Sequence, residues 1–300
     1  MMSMLVAHSS LQEIIMFVIT GASGQLGRLV IDQLLKKVPA AQIIAAVRSP
    51  EKLADLAAKG VQVRKADYSQ PETLDSAFAG AEKVLLISSS ETGQRVTQHK
   101  AVIEAAERAG IKLLAYTSVL HADTSSLALA EEHRQTERAL AESSVPSVLL
   151  RNGWYSENYT ASIPSDLQHG AHFGCAGDGR ISTATRADYA AAAVAVLTAT
   201  DDQAGNVYEL AGDEAFTLSE FAAEISRQAG KPVPYTDLPE AAFKGALLQA
   251  GLPQALAELV ANSDAAAAKG ALFDDSRQLS TLIGRPTTPL SVSVAAALGQ

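Results

Sequence analysis

Residues Phe17-Val-Ile-Thr-Gly21-Ala-Ser-Gly24-Gln-Leu-Gly27 decide the fold. The apolar run that opens them reads as a buried strand. Gly21, Gly24 and Gly27 follow at three-residue intervals. Leu29-Val-Ile-Asp-Gln-Leu-Leu35 then places apolar residues at helical spacing. Strand, glycine turn and helix in that order make a dinucleotide site. The helix opens with N–H groups that lack intrahelical partners and with the positive end of its dipole, which suits a pyrophosphate. Glycine permits the tight turn and a close approach of phosphate to backbone. Gly21, Ala22, Ser23, Gly24, Gln25, Leu26 and Gly27 are therefore candidate cofactor-binding residues. The competing reading is a glycine turn kept for packing.

The rhythm continues outward. Residues 43–48, 61–67, 83–88, 112–118 and 147–151 read as further strands. Ser49-Pro50 reads as N-cap and first residue of a helix through Leu53 and Leu56. Ser69-Gln-Pro-Glu72 has capping-box spacing and heads a helix closed by Gly80. Helices are also expected over 96–109, ended by Gly110, and over 128–143. Such alternation predicts an α/β fold, a Rossmann-like doubly wound parallel sheet. Past residue 158 the pattern breaks. Residues 174–179 read as loop, 186–189 lead into an Ala-rich helix, and 206–212 read as a strand added to the main sheet. Thr217-Leu-Ser-Glu220 is a second capping box, heading a helix to Gly230. The expected organisation is a dinucleotide-binding domain over 16–150 and a smaller C-terminal substrate lobe over 151–300.

Composition narrows the class. The chain has 300 residues, 47% apolar and 19% charged, so it can build a sizeable core. A net charge of −9 argues against nucleic acid or an anionic membrane as partner. The single cysteine, Cys175, cannot form an internal disulfide and fits a reducing cytoplasm. No apolar run approaches the roughly 20 residues needed to span a bilayer. Residues 1–15 lack the basic region and cleavage site of a signal peptide. Met16 directly precedes the first strand, which makes 1–15 a candidate non-native extension. Oligomeric state stays open, with a homodimer as the candidate.

Ligands of such sheets lie beyond the carboxyl ends of the strands. Arg48 ends the second strand about 20 residues past Gly27, where NAD-binding sites carry an acid for the ribose hydroxyls. An arginine there pairs with the 2′-phosphate of NADP instead, so NADPH is the expected cofactor. A solvated arginine near a helix start is the alternative. Asp67 is a candidate for the adenine amino group, or a charge at a helix N-terminus. Ser88, Ser89 and Ser90 follow the fourth strand, where short polar residues reach ribose and nicotinamide or simply end a strand.

Thr117-Ser118 stands where short-chain reductases place a serine, yet no Tyr-x-x-x-Lys pair follows. The usual protonation machinery is absent. His133, in Ala130-Glu-Glu-His133-Arg-Gln-Thr-Glu137, and His121 are candidate ligand-facing histidines, against surface or packing roles. Asn152-Gly-Trp-Tyr155-Ser-Glu157-Asn158 leaves the sixth strand at the ligand end with amide, hydroxyl and aromatic groups beside a flexible glycine. It suits a carboxamide and a flat ring, or an aromatic hinge between lobes.

These motifs resemble the NmrA-like atypical short-chain dehydrogenases/reductases, and among them the bacterial type 2 NAD(P)H:quinone oxidoreductases. The resemblance rests on 18–27, Ile87-Ser-Ser-Ser-Glu91, Tyr116-Thr-Ser118 with His121-Ala-Asp-Thr124, Leu150-Arg-Asn-Gly-Trp-Tyr-Ser-Glu-Asn158, Ala176-Gly-Asp-Gly179 with Thr185-Arg-Ala-Asp-Tyr189, and Leu272-Phe-Asp-Asp275. It covers nearly everything from Met16 onward. It implies NADPH held by 21–26, Arg48, the serine segment and a loop that includes Asn152, Gly153, Trp154, Ser156 and Glu157, with Thr185 reaching the same site. It also implies flavin-free reduction of a small-molecule quinone. Asn152, then Tyr155 and His133, are the candidate catalytic residues. A conjugated hydroquinone anion needs a dedicated acid less than an alkoxide does. The alternatives are an NADP(H)-sensing regulator without turnover and a reductase of other conjugated electrophiles. Replacing Arg48 by Asp is expected to lower the ratio of NADPH to NADH efficiency, and an unchanged ratio would refute the assignment.

Overall fold

Val18 turns to one face of the first strand and Phe17 and Ile19 to the other, and all three are buried. This strand, β1 (Phe17–Ile19), lies in the middle of the sheet of a computed structural model that describes residues 15–300. The reading of 1–15 as an extension lies outside the described residues, Ile15 excepted. The next strands are β2 (Ile43–Val47), β3 (Gln62–Lys65), β4 (Lys83–Leu86), β5 (Leu113–Val119) and β6 (Ser147–Asn152). Then come β7 (His172–Gly174), β8 (Val207–Leu210) and β9 (Tyr235–Asp237). The main sheet has the order β3-β2-β1-β4-β5-β6-β8, and every pairing is parallel. The expected Rossmann-like sheet is therefore present, with β8 added at its edge. Strands β7 and β9 form a separate parallel pair. Neither is visible in the sequence, because three residues carry too little alternation to register.

Helices cover both faces. They are α1 (Gln25–Leu34), α2 (Ala54–Ala58), α3 (Pro71–Phe78), α4 (Arg95–Ala109), α5 (Ala130–Glu142), α6 (Ser156–Thr160) and α7 (Ile163–His169). Beyond them lie α8 (Arg186–Leu197), α9 (Leu218–Ala229), α10 (Glu240–Gln249), α11 (Gln254–Ala267), α12 (Gln278–Ile283) and α13 (Leu290–Ala297). One core joins α1 and α8 to Ile19, Ala45, Leu85 and Ala115. The opposite core joins α3, α4 and α5 to Val18, Ile44, Val84 and Leu114. A third, around Tyr159, Phe216, Phe221 and Leu272, gathers the chain after β6.

Three local expectations change. Helix α1 begins at Gln25 and so takes Gly27 into its first turn. Residues 50–53 form a 3-10 turn before α2, and Ser49 makes no side-chain cap. The Ser69–Glu72 box does not close. Pro71 occupies the start of α3, which moves the N-cap to Gln70. Thr73 Oγ accepts from Asp67 N at 2.8 Å instead, and Ser69 N donates to Asp67 Oδ1 at 2.9 Å. The Thr217–Glu220 box forms as expected, with both of its hydrogen bonds.

Gly27 has a strict requirement. A Cβ there would lie 2.5 Å from the Gly21 carbonyl oxygen and 2.9 Å from Ala22 Cα. Both obstacles are backbone and cannot rotate away. Gly27→Ala is expected to destabilise the fold by about 1–3 kcal/mol and to weaken dinucleotide binding, read by denaturant unfolding and by titration. A variant as stable as the parent would show that α1 can retreat from the turn at no cost.

Candidate active site

Thr20 organises the point where β1 and β4 diverge. Its hydroxyl donates to Leu85 O at 2.9 Å and accepts from Ile87 N at 3.0 Å and from the Tyr68 hydroxyl at 2.6 Å. The chain then turns at Gly21, whose φ of +58° is the left-handed region that glycine adopts freely. A cavity of about 240 Å³ opens beside this turn. Gly21, Ser23 and Gly24 form one wall, Arg48 and Asp67 another, and Ser88, Ser89 and Ser90 a third. Ala22 and Leu26 are buried in the core, Gly27 meets the turn, and Gln25 is exposed at the helix start.

The serine segment is clamped from behind by side chains that sequence reasoning missed. Ser88 N donates to Thr117 Oγ at 2.9 Å. Ser89 N donates to His99 Nε2 at 2.9 Å, and Ser89 O accepts from Arg95 Nε at 2.7 Å. Since His99 Nε2 accepts, its proton sits on Nδ1 and points to Thr136 Oγ, 3.0 Å away. Arg95 is buried and pairs with Glu132 at 2.8 Å. The signal was available: the buried stripe Val102, Ile103 and Ala106 of α4, extended back at helical spacing, lands on His99, Gln98 and Arg95.

Several expected ligand-facing groups are occupied elsewhere. His133 does not line the cavity. It is buried between α5 and β5, with Nδ1 2.7 Å from the Tyr116 hydroxyl. Ser118 donates to Glu137 at 2.6 Å, and Glu137 takes two hydrogen bonds from Arg151, at 3.0 and 2.8 Å. His121, at φ +51°, lies 3.4 Å from Asp274 and 3.6 Å from Glu209. Thr185 caps α8, donating to Asp188 Oδ2 at 2.8 Å.

The second segment leaves β6, three strand spacings from β1, or about 14 Å across the sheet. Asn152 is buried at the strand end. Its side chain lies close enough to the Tyr155 hydroxyl to ease that group's ionisation, and its Oδ1 has no partner. Such an orphaned acceptor suits a ligand donor such as a carboxamide NH₂. Gly153 is no hinge. A Cβ there would stand 3.0 Å from the Tyr189 hydroxyl, and its N–H donates to Leu210 O at 2.7 Å. Trp154 packs on the third core. Ser156 is tied to Thr183, 2.9 Å away. Glu157 accepts from Arg186 N at 2.9 Å, and the Arg186 guanidinium lies 4.4 Å from the centre of the Tyr155 ring. Burial raises the Tyr155 hydroxyl above its ordinary range, so it stays protonated at neutral pH.

A wider cleft, about 1170 Å³, opens at the amino ends of β1, β4 and β5. It lies at the wrong end of a parallel sheet for the cofactor, and lysines, aspartates and amides line it beside aliphatic side chains. The smaller cavity lies at the carboxyl ends of the strands, where such sheets bind their ligands.

Parallel order, glycine turn and polar carboxyl-end segments define a dinucleotide-binding protein. Comparison agrees: residues 21–200 match the NAD(P)H-binding family model. The chain is 58% identical over 280 residues to quinone oxidoreductase 2 of Escherichia coli K12, covering 93% of this chain and 98% of the relative. The crystal structure of the NADPH-dependent quinone oxidoreductase QOR2 from Escherichia coli, complexed with NADPH, superposes with a TM-score of 0.92 at 57% identity, over 94% of this chain and 100% of that one. The Citrobacter sp. triphenylmethane reductase complexed with NADP(H) gives 0.90 at 40% identity, over 94% and 99%. The chain belongs to the NmrA-like atypical short-chain dehydrogenases/reductases.

Burial pushes His99 and His133 down, each to about 3, with Arg95 adding repulsion. These values lie below the ordinary 6.5, so the unfolded chain takes up protons first as pH falls. Their stabilisation is complete above about 6.5 and is lost progressively toward 3. Asp264 acts oppositely, since burial raises its carboxyl to about 6 and its contribution fades as pH rises through that value. His99→Gln keeps an acceptor for Ser89 and a donor for Thr136. It is expected to flatten the loss of unfolding free energy between pH 7 and 5 by about 2 kcal/mol, measured by denaturant titration. An unchanged slope would mean that His99 is not held neutral.

Proposed function

We propose that this chain is an NADPH-dependent quinone oxidoreductase that reduces quinones without flavin. The observation that carries the reading is Asn152, buried at the end of β6 beside Tyr155 with its Oδ1 unpartnered. Membership of the family that includes quinone oxidoreductase 2 supports it. NADPH supplies a hydride from nicotinamide C4 to the quinone ring. The glycine turn and the clamped serine segment would hold the nucleotide, with Arg48 at its 2′-phosphate. Asn152 would orient the carboxamide through Oδ1. Tyr155, protonated and steadied by Arg186, would donate a hydrogen bond to the developing oxyanion. Conjugation stabilises the hydroquinone anion, so the missing Tyr-x-x-x-Lys pair is not needed. His133 keeps no part in the chemistry, because its ring is enclosed and bonded to Tyr116.

The residues after 150 would form the substrate-side lobe, although β8 and α8 from that half complete the main sheet and one of its faces. Among the described residues no helix is long and apolar enough to cross a membrane, and a reducing cytoplasm suits the buried free thiol of Cys175. A second reading exchanges the acceptor for a conjugated dye, favoured by the 40% identity to triphenylmethane reductase.

NADPH oxidation measured with benzoquinone, naphthoquinone, a triphenylmethane dye and no acceptor, all without flavin, separates the readings. Quinone-dependent turnover is expected, and Asn152→Ala should lower kcat/KM by about tenfold or more. Tight NADPH binding without acceptor-dependent oxidation would identify a sensor instead.

A further inference from the structure

The rim of the nucleotide cavity is closed by one ion pair. Arg48, just past β2, brings Nη1 within 2.7 Å of Glu91 Oε1, just past the serine segment. Gln98 Nε2 donates to the other Glu91 oxygen at 2.7 Å. Gln98 is 5% exposed, and its amide also reaches Ser69 Oγ at 3.3 Å, so the carboxylate is held from behind. Ser89 Oγ accepts the Glu91 N–H at 3.1 Å. Arg48, Glu91 and Gln98 all line the cavity. Its volume, about 240 Å³, falls below the roughly 300–1,000 Å³ usual for ligand sites.

We propose that Glu91 is a specificity-determining residue: its carboxylate occupies the Arg48 guanidinium in the free protein and must release it to the 2′-phosphate of NADPH. The inference rests on the NADPH reading above. The Arg48 side chain is 68% exposed and that of Glu91 43%, so their bond is weak enough to exchange. The exchange is opposed by charge. A phosphate dianion at Arg48 sits beside a carboxylate that Gln98 keeps in place, and like charges repel. NADH carries a hydroxyl at that position. It neither needs the guanidinium nor suffers the repulsion. Arg48 therefore creates the preference for NADPH, and Glu91 limits it.

The test is a double-mutant cycle on the full chain, with dissociation constants for NADPH and NADH read from the fluorescence of the bound nucleotide. Glu91→Gln is expected to tighten NADPH about two- to fivefold and to leave NADH nearly unchanged. In an Arg48→Ala background the same substitution should have no effect on NADPH. Weaker NADPH binding, an equal gain for both nucleotides, or a gain that survives without Arg48 would each overturn the proposal. A ratio that rises only through loss of NADH would also overturn it, and would assign Glu91 to the ribose hydroxyls. If Arg48→Ala leaves the NADPH preference intact, the reading beneath fails and the proposal falls with it. If the preference drops and Glu91→Gln changes nothing, the proposal alone fails.

Discussion

The ligand end of the sheet depends on one contact, the first turn of α1 against the backbone of the turn before it. Gly27 allows that approach because it brings no Cβ against the Gly21 carbonyl. The helix can then begin at Gln25, close enough to the strand end for its N-terminal dipole to face the cleft. Thr20 completes the arrangement from the other side. By bonding both Leu85 O and Ile87 N it fixes where β4 stops, and so where the serine segment departs. Moving α1 outward would open the cavity wall that Gly21, Ser23 and Gly24 form.

Buried polar side chains take over what glycine geometry begins. Ser89 has its N–H on His99 and its carbonyl on Arg95, so a loop at the mouth of the cleft is anchored as firmly as a strand. These groups are costly to desolvate, and each is satisfied by a partner on α5, Thr136 for the imidazole and Glu132 for the guanidinium. A second polar cluster replaces familiar short-chain reductase machinery. Arg151 gathers Glu137, Glu209 and Asp123, and Glu137 captures Ser118. The serine is thereby spent on joining β5, β6, β8 and α5. On the proposed reading the polar chemistry would fall to Asn152 and Tyr155, one strand further along the sheet, which would suit an acceptor whose reduced form carries its own charge.

Several particular residues show why parts of the site could be read from the chain and others could not. The Thr217 box formed and the Ser69 box did not, although the spacing is identical, because Pro71 displaced the start of α3. Gly153 reads as a flexible glycine in a polar stretch and is a close approach to Tyr189 and Leu210. His133 occupied a suggestive position and its ring turned inward to Tyr116. In each case the local string was sound and the deciding neighbour lay on another element.

The sequence by itself determined the α/β class, the central parallel strands, the glycine turn and the cofactor type. The class, strands and turn follow from hydrophobic period and glycine placement, which are properties of short contiguous segments, and the cofactor expected from Arg48 agrees with the NADPH-bound relative. Only the tertiary structure decided which polar groups remain free for a ligand. That depends on partners far apart in the chain, such as His99 under Ser89, Glu137 on Ser118 and Asn152 left with an empty acceptor. Burial and pairing are properties of the packed whole, and a hydroxyl or imidazole can meet the cofactor only if the fold has not already used it.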